Sequence, residues 1–543
     1  MNLRRNPKKR KITDADDFGK VNPFHEQFTV SSNSHTNIHF SRPTPTLDVI
    51  GVSPLMNVST PFNFPFELGL DYYGISLSDT SFHTTWNNID GELWEHHHNN
   101  DLNNIEIRVP KIYAVIKNGE ERSLLTSMMA VWNVQMIIEV TRQAIHRIGP
   151  LHWNEQPTRW SLLRVYIFIA VELCVLGRKY YSVDGMTESR GFDKAVKFLC
   201  PDWYQKLHTQ KKRHLDIYLP YKMYRQMRCS FFIDHTHFSS VSESFRNLLR
   251  YSGSYLCADE KLFYCSQDIP HKFICPSKPT GEGLWMYELT CWLKGDHPFL
   301  IDMEMRKRSD NGEPVPVHKI VEHWVEVCNS HNSENKCPKS KILTFDGFYA
   351  SAATIELMKT YAVDKLPFKT FFCCGTRRPK GLKEMMIENH LSEGLFQRDQ
   401  DSIMFHCGRY SASNGKKIAA TSASNAFLVT EKASTQPQNP FHFYHDHFSL
   451  CDRFNRQLSD IHFVVHRSLP ASRVSESREH DYCFYSTALN LWNLHKALPL
   501  EDIPKNLTLQ QFLMEMGKQL YEHVLEIKDD LDMMFDFETQ LHD

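Results

Sequence analysis

Apolar residues are sparse over residues 1–62, where Ser, Thr, Pro, Asn and His dominate. Such a stretch lacks the aliphatic surface for a packed core and is expected to be a disordered arm. Residues 63–109 remain polar and read as partly ordered, with His96-His97-His98 more simply a surface run than a metal site. From Pro110 the grain changes. Val131, Val134 and Ile138 fall at i, i+3 and i+7, one face of a helix, and residues 110–250 read as mostly helical with a break at Gly149-Pro150. The most apolar run, Leu162 to Gly177, carries Arg164 and Glu172. It is short of the roughly 20 residues that cross a bilayer, so a buried helix is expected there and no membrane partner.

From Tyr255 the pattern turns to strands. YLCADEKLFYC, HKFICPSKP, GLWMYELTCWLKG and PFLIDMEMRK follow one another between turns. Val317 to Asn329 has helical spacing, KILTFDGF is a strand, Ser351 to Tyr361 a helix and FKTFFCCGT a further strand. Strands followed by helix–strand alternation predict a mixed α/β sheet. Residues 381–440 are less regular and read as an insertion that returns at Phe441. HDHFSLCDRFNRQL, DYCFYSTALNLWNLHKAL and Leu507 to Ile527 then read as helices, ahead of an acidic tail over 528–543.

A chain of 543 residues is too long for one core, and two to four domains are expected. The 62 Lys and Arg nearly cancel the 64 Asp and Glu, so net charge gives no argument for a nucleic-acid partner and any basic surface must be local. The 14 cysteines are scattered, without the dense pairing of a secreted scaffold or a zinc-ligand spacing, which favours reduced intracellular thiols. The polar, basic start shows no secretory signal. Two local basic features stand out. Arg4, Arg5, Lys8, Lys9, Arg10 and Lys11 match a nuclear-import signal or an arm that touches phosphate. Further on, Lys206, Lys211, Lys212, Arg213, Lys222, Arg225, Arg228, Arg246 and Arg250 interleave with Trp203, Tyr204, Tyr221, Tyr224, Phe231 and Phe232. Cations beside aromatics suit a phosphate backbone; a solvated helix face above an aromatic core has the same pattern.

Asp259 lies inside the apolar run of YLCADEKLFYC. Taken alone it is more simply a strand-end acid that caps or ion-pairs, since an unmatched buried acid is costly. Asp346 ends KILTF in the same way, and Asp452 follows in a helical stretch after the irregular segment. Two strand acids and a helix acid suit a two-metal phosphoryl-transfer site, because Mg2+ or Mn2+ takes hard oxygen ligands and offsets the repulsion of clustered carboxylates. With 64 acids in the chain, order alone does not make these three converge.

Resemblance narrows the choice. From about Pro110 to Leu520 the chain resembles the piggyBac transposase family and its host-derived descendants. YLCADEKLFYC looks like that family's first catalytic-Asp strand, CPSKPTGEG like its Lys-Pro element, and ILTFDGFYAS like its second catalytic-Asp strand. FKTFFCCGTRRPKG is similar to the strand and Gly-Thr-basic turn between the second and third acids, and YHDHFSLCDRFNRQ to the third-Asp segment.

The resemblance implies an α/β fold with an RNase H-like (DDE/DDD transposase) catalytic core in two parts, 251–380 and 441–466, separated by the insertion 381–440. A mostly helical dimerisation and DNA-binding region, 110–250 and 467–527, would flank it. It implies metal-dependent cleavage and transfer of double-stranded DNA at TTAA targets by a nuclear homodimer. Asp259, Asp346 and Asp452 would be catalytic and hold Mg2+ or Mn2+; Lys211, Lys212, Arg213, Lys278, Arg377, Arg378 and Lys380 would contact DNA. No small-molecule substrate is expected. The chain departs from the pattern at Cys265-Ser266-Gln267, Gly281, Gly347, Ser449-Leu450-Cys451 and Asn455, and no cysteine follows Cys483 where the family commonly has a zinc-binding tail. Larger residues in place of glycine obstruct close approach to phosphate, and lost Arg and Lys remove contacts that fix a strand. These departures support an alternative: a host-derived DNA-binding or chromatin-interaction protein on the same fold with little or no catalysis.

Overall fold

The computed structural model describes residues 83–87, 93–97, 105–107, 109–117, 123–148, 160–177, 188–201, 218–269, 271–276, 278, 280–306, 315–330, 338–362, 369–375, 386–387, 390, 394–398, 403–411, 417–424, 426–429, 440–461, 469, 471–500, 502–529 and 531. Strands β1 (His83–Asn87), β2 (Leu93–His97), β3 (Ile105–Ile107) and β4 (Val115–Ile116) come first. Helices α1 (Leu124–Val131), α2 (Val134–Ile148), α3 (Leu162–Gly177), α4 (Glu188–Leu199), α5 (Tyr221–Arg228) and α6 (Phe238–Asn247) follow. Then come β5 (Leu249–Tyr251), β6 (Tyr255–Tyr264), β7 (Lys272–Ile274), β8 (Glu282–Leu293), β9 (His297–Met305), α7 (Val317–Ser330), β10 (Ser340–Phe345), α8 (Ala352–Tyr361) and β11 (Lys369–Gly375). The chain closes with β12 (Gly394–Arg398), β13 (Ile403–Ser411), β14 (Lys417–Ser424), β15 (Phe427–Val429), α9 (Pro440–Ile461), α10 (Ala471–Ala497) and α11 (Leu509–Glu526).

Among the described residues, eleven strands form one mixed sheet. Its centre runs β9-β8-β6-β10-β11, with β6, β10 and β11 mutually parallel and β8 antiparallel to both neighbours. The parallel strands are apolar on both faces, as strands covered by helices on each side must be. One face carries Tyr255, Cys257, Ile342, Phe371 and Cys373, which pack with Phe443, Leu450 and Cys451 of α9. The other carries Leu256, Ala258, Leu343, Phe345 and Phe372, which join Trp324 of α7 in the main core. Gly283 opens β8 at φ +156°, where a Cβ would lie 2.0 Å from the Phe263 carbonyl oxygen, so no other residue lets β8 start against β6 there.

The helical part is built around α3. Its Gly177 and Ala170 meet α11 at backbone range, with Gly517 of α11 against the Ala170 carbonyl. The two charges inside this apolar helix are matched: the Arg228 Nε meets Glu172 Oε1 at 3.2 Å, and the Arg164 Nε donates to the Tyr218 carbonyl at 2.9 Å. Ser123, Ser351 and Thr508 cap α1, α8 and α11 by accepting backbone N–H bonds. Among the described residues no single helix is long and apolar enough to cross a membrane.

Two expectations change. Val131, Val134 and Ile138 do not share one helix. Trp132 and Asn133 interrupt it, the Asn133 side chain accepts the Met136 N–H at 2.9 Å to start α2, and the two helices bend by 50°. Within 381–440 the chain is more regular than its pattern suggests: β14 pairs antiparallel with β11, and β13, β12, β2 and β1 continue the sheet outward. The segment KIAATSAS is strand by ladder pairing, with little hydrophobic signal of its own.

Candidate functional site

Asp259 follows Ala258 on β6, and the parallel register sets Ala258 beside Phe345 of β10. Asp346, the residue after Phe345, therefore comes level with Asp259 on the adjacent strand and on the same face of the sheet. Its carboxylate accepts the Phe348 N–H while its carbonyl accepts the Tyr349 N–H at 3.1 Å, a turn that holds the acid at the strand end. On the same face, α9 presses close. Cys451 Sγ lies 3.3 Å from the Cys257 carbonyl and 3.2 Å from Thr290 Oγ1, and Cys257 Sγ reaches the Phe448 carbonyl at 3.1 Å. Asp452 is the next residue of that helix. Asp259 is buried, Asp346 half-buried and Asp452 exposed.

The acids act on one another. Burial pushes the Asp259 carboxyl well above the usual carboxylate range; Glu260, Asp452 and Asp346 add to the rise, and the Lys278 ammonium opposes it. Burial also pushes Glu260 up, but Lys278 and a hydroxyl bond from Tyr349 more than offset this and hold it below the ordinary value. Lys278 Nζ lies 3.0 Å from Glu260 Oε1, Tyr349 donates to Glu260 Oε2, and turn bonds among Cys275, Lys278 and Gly281 fix the lysine backbone. Burial lowers Lys278, yet Glu260, Asp259 and Asp346 together raise it above the ordinary value.

A second polar group flanks the other side of Asp259. Glu288 on β8 is directly opposite Asp259 in the antiparallel ladder and has no exposed surface. Its Oε1 accepts the Tyr482 hydroxyl and its Oε2 the Asn455 amide, each at 2.8 Å. Lys261 Nζ donates to the Asn455 carbonyl at 3.2 Å. Burial raises Glu288, with Lys261 opposing, and burial lowers Lys261.

Of the residues expected in the site, Asp346 and Asp452 both act electrostatically on Asp259, and Lys278 is paired with Glu260, the residue after Asp259. Lys211, Lys212, Arg213, Arg377, Arg378, Lys380 and the basic arm Arg4, Arg5, Lys8, Lys9, Arg10 and Lys11 lie outside the described residues. Part of the basic-aromatic segment belongs to the interior. Tyr224 packs on Phe192, Arg228 pairs with Glu172, and Arg246 pairs with Asp302 at 3.1 Å, while Lys222, Arg225 and Arg250 stay at the surface. Glu260 has a signal in the sequence, the second acid of the Asp-Glu pair. Glu288, Lys261, Tyr349 and Tyr482 have none, because their partners are distant in the chain.

As they stand, no three His, Cys, Asp or Glu side chains among the described residues are gathered closely enough to hold a metal ion. The donor chemistry nevertheless fits a hard divalent cation. Asp259, Glu260, Asp346 and Asp452 offer oxygen alone, and beyond the burial that first raises Asp259 the charge of Glu260, Asp452 and Asp346 raises it further.

The fold and site define an α/β protein whose central mixed sheet carries one acid within β6 and another just past the end of the adjacent parallel strand β10. Among solved structures the chain is similar to the piggyBac transposase in a cryo-EM synaptic complex with hairpin DNA, at 14% identity and a TM-score of 0.54 over 77% of this chain and 86% of that one. At that identity the likeness is one of fold. No protein-family model matches the chain, and no curated protein does.

Proposed function

We propose that the protein is a piggyBac-like DNA transposase that cleaves and transfers DNA strands through Asp259, Asp346 and Asp452 on an RNase H-like core. One observation carries the reading: acids from two adjacent parallel strands and from the helix packed on them all bear on the buried Asp259 carboxyl. Asp259, Asp346 and Asp452 would hold Mg2+ or Mn2+. Bound there, the ions would activate the attacking oxygen and stabilise the leaving one.

The chain's own groups have separate tasks. Tyr349 and Lys278 fix Glu260 beside Asp259, and the Asp346 turn keeps its carboxylate at the strand end. Cys451 and Phe448 hold α9 against β6, which would bring Asp452 toward the same edge. The partner is double-stranded DNA, with TTAA-type targets, and the protein works as a nuclear homodimer. DNA in the structurally similar synaptic complex supports the choice of partner.

A second reading has its own support. Lys278 already brings a cation into the acid group, which favours a host-derived DNA-binding protein with little or no catalysis on the same fold. A labelled hairpin-ended duplex incubated with the protein and Mn2+ decides between them, beside Asp346→Asn. Cleavage by the protein that the variant loses is expected; duplex bound but uncut by both leaves only the second reading.

A further inference from the structure

Glu288, Asn455, Lys261 and Tyr482 come from β8, α9, β6 and α10, and they meet beside Asp259, with Glu288 and Tyr482 fully buried and Asn455 and Lys261 half-buried. A carboxylate with no exposed surface persists only where hydrogen bonds replace its water. Glu288 finds two donors, one on each oxygen, at 2.8 Å: the Tyr482 hydroxyl and the Asn455 amide. The Lys261 ammonium closes the group through the Asn455 carbonyl at 3.2 Å. Asn455 lies three residues after Asp452, one turn along α9, so the two are neighbours on one side of the helix, Asp452 at its exposed margin.

We propose that Glu288 is the positioning residue that seats α9, and with it Asp452, against Asp259, and that this carboxylate requires an amide at position 455. An ionised carboxylate only accepts hydrogen bonds. Asn455 can answer it through Nδ2; an aspartate there would bring two carboxylate oxygens to about the same 2.8 Å separation, one of them on the fully buried Glu288. The Tyr482 bond carries the same seat to α10, so the C-terminal helical region and the acid-bearing strands share one anchor.

The inference rests on the transposase reading only for the role of Asp452; the seating of α9 stands by itself. Three variants of the full chain test it: Asn455→Asp, Glu288→Gln and the double variant, in which the amide introduced on β8 would donate to the carboxylate introduced on α9. Hydrogen exchange of peptides within 440–461 reports the seating, and the electron paramagnetic resonance signal of free Mn2+ reports the acids. Asn455→Asp is expected to raise α9 exchange at least about tenfold, since an unmatched buried charge costs more than about 1.4 kcal/mol, and to weaken Mn2+ binding. The double variant is expected to return both to within a few-fold of the parent, which general loss of packing would not do. Unchanged α9 exchange in Asn455→Asp, tighter Mn2+ binding by it, or a double variant no better than the single overturns the proposal. If the parent binds no Mn2+ while the exchange pattern is rescued, the seating stands and the metal reading falls.

Discussion

The Lys278–Glu260 contact makes a prediction with a definite sign. The ammonium lies 3.0 Å from the carboxylate, with side chains 19% and 9% exposed. Lys278→Met keeps most of the stem and removes the charge. Glu260 then keeps the burial that pushes it up and loses the foremost influence that holds it down. Removing one partner of a buried pair costs about 3–5 kcal/mol, and the partly exposed lysine places this case near about 3 kcal/mol. At roughly 2 °C per kcal/mol the thermal midpoint falls about 6 °C at about pH 7.5. The pH dependence follows from the folded-state value of Glu260, which is now below its ordinary one. In the parent this group contributes stability above the unfolded glutamate pKa and loses it as pH falls through the lower folded value. In the variant burial drives the folded value above the unfolded one, so acidification toward about pH 5 relieves the strain. The gap between parent and variant melting curves should therefore narrow from about pH 7.5 to about pH 5. An equal gap at both pH values would refute the electrostatic account and leave only lost packing.

Two structural predictions have simpler readouts. Asn490 donates through Nδ2 to the Leu300 carbonyl and accepts the Leu300 N–H, both at 2.8 Å, where the β8–β9 register shifts; Asn490→Leu leaves two buried backbone groups unmet at about 1–3 kcal/mol each, seen as a lower midpoint and faster exchange of the Leu300 amide, and an unchanged amide would count against it. At Gly517 a Cβ would lie 2.6 Å from both the Ala170 carbonyl oxygen and Cys174 Sγ; Gly517→Val should force α3 and α11 apart at a cost of about 3 kcal/mol, and a variant that melts with the parent would show the helices can separate freely.

What could be read from the sequence follows from the range of the interaction. YLCADEKLFYC and KILTF declare themselves as strands because their apolar runs are local, and Asp259 and Asp346 stand out against them. Glu288 sits in GLWMYELTCWL with the same local contrast, but what makes it tolerable, Asn455 and Tyr482, lies 167 and 194 residues away. Such a pairing leaves no pattern in a single chain. The basic-aromatic segment stays undecided in the sequence for the opposite reason. Its composition is shared by a phosphate-binding face and by an interior with matched charges, and only the partners Glu172 and Asp302 show that Arg228 and Arg246 belong to the second. The strands of 381–440 were hidden because pairing with β11 supplies the order that their small and polar residues do not.

The placement of the two lysines explains where the negative charge of the site comes to rest. Lys278 is committed to Glu260, and Lys261 is held at the Asn455 carbonyl with Glu288 as its foremost charged neighbour. These groups lie on either side of Asp259, one centred on β7–β8 and Tyr349, the other on α9 and α10. Asp259 itself has no ion pair among the described residues, and Asp346 and Asp452 both add to its rise. Each flanking carboxylate is thus answered by a cation or by neutral donors of the chain, whereas burial and three neighbouring acids press Asp259, between them, toward its protonated form. A cation arriving from solvent would meet the acids from the side of half-buried Asp346 and exposed Asp452. On the proposed reading the two lysines would work against metal at Glu260 and Glu288, and because Lys278 also opposes the rise of Asp259, a cation there would have to displace a proton and offset this ammonium.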